Sequence, residues 1–169
     1  MRIFLIGMPG CGKSSLGNSL SRKIEMHYID LDHVIEKKED MSITSIFDQK
    51  GEEYFRRIEH DILIQFCTGK NDNFIMAAGG GTPCFFDNLN HMNSAGKTIY
   101  LKVEVDILVK RLQSKISDRP LLNDVGDLKM HLESLLESRN SWYNKANITL
   151  DSNDLTTDGL LTAVLNIKS

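Results

Sequence analysis

Gly7-Met8-Pro9-Gly10-Cys11-Gly12-Lys13-Ser14 fits the pattern G-x-x-x-x-G-K-[ST] without a mismatch, and it directly follows the apolar run Ile3-Phe4-Leu5-Ile6. A strand that ends in such a loop and continues into a helix is a phosphate cradle. Glycines permit turns that side chains obstruct, so successive backbone N–H groups point inward at phosphate oxygens, helped by the positive end of the following helix. Lys13 is expected to reach the β and γ phosphates and Ser14 to ligate Mg²⁺. Gly10, Cys11, Gly12, Lys13, Ser14 and Ser15 are therefore the candidate contacts to a nucleoside triphosphate.

The rest of the chain has the length and balance to enclose such a loop in one domain. It has 169 residues, 41% hydrophobic and 25% charged, as in an ordinary globular protein with a substantial core. A net charge of -3 and a pI near 5.9 argue against an extended nucleic-acid surface. The apolar runs are short and strand-like, so no membrane role is expected. The first of them begins almost at Met1, which leaves no room for a signal or transit peptide and points to the cytoplasm. Cys11, Cys67 and Cys84 are odd in number and widely spaced, which suggests reduced thiols rather than a disulfide framework or a zinc site.

Short β-type runs alternate with segments of helical period, and no linker or repeat interrupts them. Strands are predicted near Ile3–Ile6, Met26–Ile29, Phe74–Ala78, Thr98–Val103 and Asn147–Leu150. Helices are predicted near Ser15–Lys23, Leu31–Lys38, Ile43–Gln49, Glu52–Phe66, Val105–Leu112, Leu128–Tyr143 and Asp158–Asn166. This alternation implies an α/β fold with a parallel sheet covered by helices on both faces. Ligands of such sheets lie beyond the carboxyl ends of the strands, so a motif just after a strand carries weight.

Asp30-Leu31-Asp32 ends the second strand. Two carboxylates aimed into a phosphate site can divide the work, one supporting Mg²⁺ directly or through water and one accepting a hydrogen bond from an attacking hydroxyl. The competing role of an Asp at this place is to cap the following helix. Gly51-Glu52-Glu53-Tyr54-Phe55-Arg56-Arg57-Ile58-Glu59 heads a long amphipathic helix, in which Glu59 is placed three residues on to hold the Arg56 guanidinium. A fixed guanidinium matches a carboxylate, with Phe55 or Phe47 as an apolar wall; adjacent Arg57 reads as a solvated charge.

Gly79-Gly80-Gly81 follows the strand Phe74-Ile75-Met76-Ala77-Ala78 and removes side chains where a ligand must approach the backbone. That strand lacks a terminal Asp, which leaves metal support to Asp30 or Asp32. A polar segment around Ser114 to Gly126, containing Arg119-Pro120-Leu121-Leu122, offers turn chemistry and few apolar anchors, as a mobile lid does. Arg119 would swing over the transferred phosphoryl group. Arg111 precedes this segment, and Arg139 is the i, i+4 partner of Tyr143 near a helix end.

In their shared order these motifs resemble the shikimate kinase family over nearly the whole chain. The match comprises the P-loop, a strand-ending D-x-D, G-E-x-x-F-R-x-x-E, G-G-G, a lid R-P-L-L and R-x-x-x-Y. The resemblance implies a P-loop NTPase-type three-layer sandwich with a five-stranded parallel sheet, a single domain over residues 1–169 and a lid at about 113–126. It implies transfer of the ATP γ-phosphoryl group to the 3-hydroxyl of shikimate, on the route to chorismate and the aromatic amino acids. Carried over by motif, Asp32, Arg56, Arg139 and the backbone of Gly79, Gly80 and Gly81 would bind shikimate. Asp30 would hold the magnesium water shell, Arg119 would contact the phosphates and Arg111 would lie by the adenine, while the loop near Ser152–Asp154 offers no matching adenine motif. The expected cofactors are ATP and Mg²⁺, with shikimate as the small-molecule partner and the chain acting as a monomer.

Four rivals share the loop. A gluconate kinase is the nearest, because gluconate also carries a carboxylate, but neither it nor a nucleoside monophosphate kinase needs the D-x-D plus two-arginine set. A regulatory GTPase is disfavoured because Asn147 stands where the N-K-x-D motif of Asn144-Lys145-Ala146 would need its aspartate, and no D-x-x-G follows a strand. A non-catalytic nucleotide-binding module is disfavoured by Lys13, Ser14, Asp30, Asp32 and Arg119 together.

Overall fold

The computed structural model describes residues 1–70, 73–116 and 125–166. Its five strands are β1 (Arg2–Ile6), β2 (His27–Asp30), β3 (Phe74–Ala77), β4 (Lys97–Leu101) and β5 (Ile148–Leu150). They form one parallel sheet in the order β2-β3-β1-β4-β5. The helices are α1 (Lys13–Lys23), α2 (Leu31–Glu39), α3 (Ile43–Thr68), α4 (Asn88–Ala95), α5 (Val105–Ile116), α6 (Val125–Tyr143) and α7 (Thr157–Asn166).

Right-handed crossovers fix where the helices go. The α1 crossover runs from the central strand outward to β2, while every later crossover runs the opposite way along the sheet, so α1 takes one face and α3 to α6 the other. Contacts between α1 and α7, and separately between α3 and α4 and between α5 and α6, follow this division. In the central strand Ile3, Phe4, Leu5 and Ile6 are all fully buried, as a parallel strand covered on both faces must be. Among the described residues no helix is long and apolar enough to cross a membrane.

The helices expected before and after residue 50 are both present and run on as α3, with the break between them at Gly51, whose φ of 82° and ψ of 167° are not helical. One detail departs from the sequence expectation: the short α4 has no counterpart in the expected elements. Its sequence, NLNHMNSA, holds three asparagines, which have poor helix propensity, while Leu89 and Met92 press into the core, so tertiary burial rather than local preference makes it a helix. All three cysteines are free, as their spacing suggests.

Candidate active site

The strand order places the motifs side by side. Because β3 pairs with β1 on one side and β2 on the other, the loops leaving β1, β2 and β3 emerge together at the carboxyl edge. Here the crossovers diverge in direction, which opens a crevice. Gly7–Ser14, Asp30–Asp32 and Gly79–Gly81 share that crevice.

The loop after β1 has the backbone of an anion cradle. Gly10 and Gly12 take φ of 81° and 106°, a left-handed region that favours glycine. No side chain caps α1, and no acidic residue occupies its first turn. Its leading N–H groups therefore remain free of side-chain acceptors and favour an anion. Lys13 Nζ donates to the carbonyls of Gly7 at 2.8 Å and Met8 at 3.0 Å, which holds the ammonium on the inner side of the loop. Arg111 Nη1 donates to the Cys11 carbonyl at 3.2 Å. Together with Gly10, Gly12, Ser14, Ser15, Leu16, Ser114 and Leu155 these residues line a cleft of about 450 Å³. Leu155 is an addition to the sequence reading. It lies just past the loop in which no adenine motif is recognisable, and a lone leucine gives no signal in a sequence.

Ser14 Oγ donates to Asp30 Oδ2 at 2.8 Å, and the same oxygen accepts from Tyr28 Oη at 3.1 Å. A hydroxyl and a carboxylate joined this way are hard oxygen donors suited to Mg²⁺, which completes its octahedron with water and substrate phosphates rather than a protein cage. Among the described residues no group of three or more His, Cys, Asp or Glu side chains is placed to hold a metal ion.

Asp30 and Asp32 do not both lie at the strand end, as the D-x-D reading places them; the break falls between them, where the helix predicted from Leu31 begins. Asp30 is the last residue of β2, and Asp32 lies in the first turn of α2. The chain turns between them, yet the two carboxylates remain electrostatically coupled. Asp32 keeps contact with solvent through the crevice while protein atoms crowd its carboxyl group. That crowding, with the negative charges of Asp30 and Glu59 and against the opposing pull of Lys13, pushes its pKa up from 3.8 to about 6.

Arg56 and Glu59 meet as their spacing predicts. Arg56 Nη1 donates to Glu59 Oε2 at 2.8 Å, and Arg56 Nε donates to Glu52 Oε1 at 3.2 Å. Glu59 is fully buried, and its other oxygen accepts from Thr82 Oγ1 at 2.5 Å. The guanidinium carbon lies over two rings, 5.0 Å from the centroid of Phe55 and 4.3 Å from that of Phe85. The Phe47 ring packs against Phe55, tilted by 38° with centroids 4.7 Å apart. Phe85 and Thr82 are not among the residues the sequence reading selects, because their partners lie more than twenty positions away. Arg57 makes an exposed pair with Glu53, in keeping with its reading as a solvated charge.

The glycine triplet is where these groups converge. A Cβ on Gly81 would meet the Arg56 guanidinium at 2.6–2.9 Å, one on Gly79 would meet Glu59 at 2.8 Å and Asp32 at 3.1 Å, and one on Gly80 would meet Arg139 Nη1 at 3.1 Å. The triplet thus makes room for two guanidiniums and two carboxylates around one floor of backbone, one of the carboxylates, Glu59, being paired to Arg56. Tyr143 Oη donates to the Gly80 carbonyl at 2.6 Å. Tyr143 is fully buried, stacked on Tyr100 at 5.0 Å, and burial drives its pKa up. It anchors the end of α6, from which Arg139 projects. Arg119 lies outside the described residues. Asn147, the residue that departs from the guanine motif, ties β5 to β4 instead. Its Oδ1 accepts from Thr98 N at 3.0 Å, and its own N–H donates to Thr98 Oγ1 at 3.0 Å.

The chain is similar to known proteins in sequence and in fold. The family model described as shikimate kinase matches residues 9–167. A shikimate kinase of Parabacteroides distasonis is 39% identical over 159 residues, covering 93% of this chain and 91% of that protein. The crystal structure of a shikimate kinase from Bacteroides thetaiotaomicron superposes with a TM-score of 0.88 at 32% identity over 98% of each chain. One from Acinetobacter baumannii, in complex with shikimate, superposes with a TM-score of 0.84 at 29% identity, over 98% of this chain and 91% of that one.

Proposed function

We propose a mechanism from one premise: the chain belongs to the shikimate kinase family. It is an ATP-dependent transferase that phosphorylates shikimate at the 3-hydroxyl, a step of aromatic amino acid biosynthesis. The observation that carries this reading is the meeting of Arg56, Arg139 and Asp32 over the glycine triplet, beside a phosphate loop. Shikimate presents one carboxylate and three ring hydroxyls, and this floor presents two cations, one anion and open backbone.

In our reading Arg56 and Arg139 hold the acceptor carboxylate. Arg56 commits Nε and Nη1 to Glu52 and Glu59, so the donors of Nη2, which faces Gly81, are the ones directed at substrate. Glu59 neutralises and fixes Arg56, which keeps the clamp from adapting to a differently shaped acid. Asp32 orients the reacting hydroxyl and takes its proton. A carboxylate whose pKa lies near 6 is a better proton acceptor at neutral pH than an unperturbed one and is still ionised. No covalent enzyme intermediate is required, because in-line phosphoryl transfer depends on positioning and charge stabilisation.

On the nucleotide side, Gly10, Cys11, Gly12, Ser14 and Ser15 cradle the phosphates. Lys13 exchanges its carbonyl contacts for the β and γ phosphates, Arg111 lies by the adenine, and Arg119 closes over the transferred group from a lid at about 113–126. Ser14 and Asp30 would hold Mg²⁺, which would offset phosphate charge when bound. We take residues 1–169 as one catalytic domain, working as a monomer in the cytoplasm.

The test is nucleotide consumption by the purified chain with Mg·ATP. Shikimate should be phosphorylated, and gluconate and nucleoside monophosphates left essentially untouched. Comparable turnover of gluconate would refute the assignment.

A further inference from the structure

Phe85 lies in the loop that follows the glycine triplet, extended in backbone at φ -122° and ψ 151°. Its ring covers the Arg56 guanidinium at 4.3 Å, closer than the ring of Phe55 at 5.0 Å. A cation over an aromatic face is held by the ring quadrupole, more strongly when water is excluded, and Arg56 is buried. Two rings within cation–π reach hold the guanidinium, while Nη2, which is not committed to Glu52 or Glu59, remains for the substrate carboxylate. In-plane approach is the geometry that carboxylate recognition requires.

The loop around Phe85 is built to stay there. Phe86 and Asp87 adopt φ of 48° and 59°, two successive left-handed residues that are not glycine, which persist only when the surroundings over-determine them. The surroundings are a chain of hydrogen bonds. Fully buried Asn88 donates from Nδ2 to the Thr82 carbonyl at 2.9 Å and turns its Oδ1 to His60 Nδ1 at 2.7 Å. Its backbone N–H donates to the Phe85 carbonyl at 2.9 Å. Thr82 in turn donates to Glu59, the partner of Arg56. The loop therefore grips both ends of the Arg56–Glu59 pair: Thr82 holds the carboxylate and Phe85 the guanidinium.

We propose that Phe85 is a positioning residue of the acceptor site, whose ring electrostatically fixes the Arg56 guanidinium in the plane that receives the substrate carboxylate. This rests on the reading of Arg56 as a carboxylate clamp. Phe85 is half-buried and touches no reacting atom in this account, so its effect belongs to acceptor KM and not to kcat.

The decisive experiment replaces Phe85 by 4-fluoro-, 3,5-difluoro- and 3,4,5-trifluorophenylalanine, which drain the ring face of negative charge while nearly keeping its shape. Shikimate KM should climb stepwise with fluorine count, reaching about 2- to 30-fold at the trifluoro ring, with kcat and ATP KM within about twofold of the natural chain. Phe85→Trp, a stronger cation binder, should restore a low KM where Phe85→Leu does not. Arg56→Lys serves as the reference. If it raises shikimate KM while the fluorinated series stays flat, the Phe85 inference is wrong and the clamp stands. If it leaves shikimate KM unchanged, the clamp reading fails and takes the inference with it.

Discussion

Asp32→Asn should make the protein more stable and nearly inactive at once. Asparagine keeps the shape of the side chain and removes a charge that Asp30, Glu59 and burial all oppose. Those influences move the Asp32 pKa from 3.8 to about 6. At about 1.4 kcal/mol for each tenfold change in proton affinity, the full displacement is equivalent to about 3 kcal/mol. Asp32 remains in contact with solvent, and screening reduces the recoverable part to about 1 kcal/mol.

The sign follows from proton uptake. With a folded-state pKa above its unfolded value, Asp32 binds more protons in the folded protein between pH 3.8 and about 6. Its contribution to stability is fully present below that window and is lost as pH rises through it. Urea unfolding of both chains across this range and at pH 7.5 should therefore show the variant ahead by about 1 kcal/mol at pH 7.5, with the difference vanishing toward pH 4. In the same preparation kcat should fall by about 10²- to 10⁴-fold, the loss typical of a missing general base. In the natural chain kcat/KM should fall tenfold per pH unit below about 6. A variant that is destabilised at pH 7.5 and keeps near-normal kcat would refute this account and leave Asp32 as a favourable charge in the first turn of α2.

Other substitutions separate the two halves of the site. Gly81→Ala places a methyl group 2.6–2.9 Å from the Arg56 guanidinium; displacing one charge-assisted hydrogen bond should raise shikimate KM about 10- to 150-fold and leave ATP KM unchanged in initial-rate assays. Arg139→Lys retains charge but loses the planar fork, so calorimetry should show a similar weakening of shikimate and little change in ATP. Equal weakening of both ligands would make Arg139 a helix residue and not a clamp. Arg119→Ala should depress kcat far more than it weakens shikimate binding to the ATP-free protein, and a parallel fall in shikimate affinity would remove Arg119 from the lid role.

The sequence alone determined the elements whose causes are local. A glycine pattern after an apolar run specifies a phosphate loop, because only that backbone can turn its N–H groups inward, and the i, i+3 spacing of Arg56 and Glu59 specifies their pairing, because a helix repeats every 3.6 residues. Alternation of strand and helix period likewise determined a parallel sheet. The helix predicted from Leu31 already set Asp32 apart from β2, but local pattern did not reveal α4, whose asparagines oppose the helix that burial of Leu89 and Met92 imposes. The raised pKa of Asp32 was equally out of reach, since desolvation and the charge of Glu59 arise only once α2 and α3 share the crevice. Tertiary structure decided which groups face one another across long sequence separations: Thr82 on Glu59, Phe85 on Arg56, Tyr143 on Gly80 and Leu155 on the nucleotide cleft. Such contacts join residues whose spacing carries no period, and it is the strand order β2-β3-β1 that brings their loops to one edge.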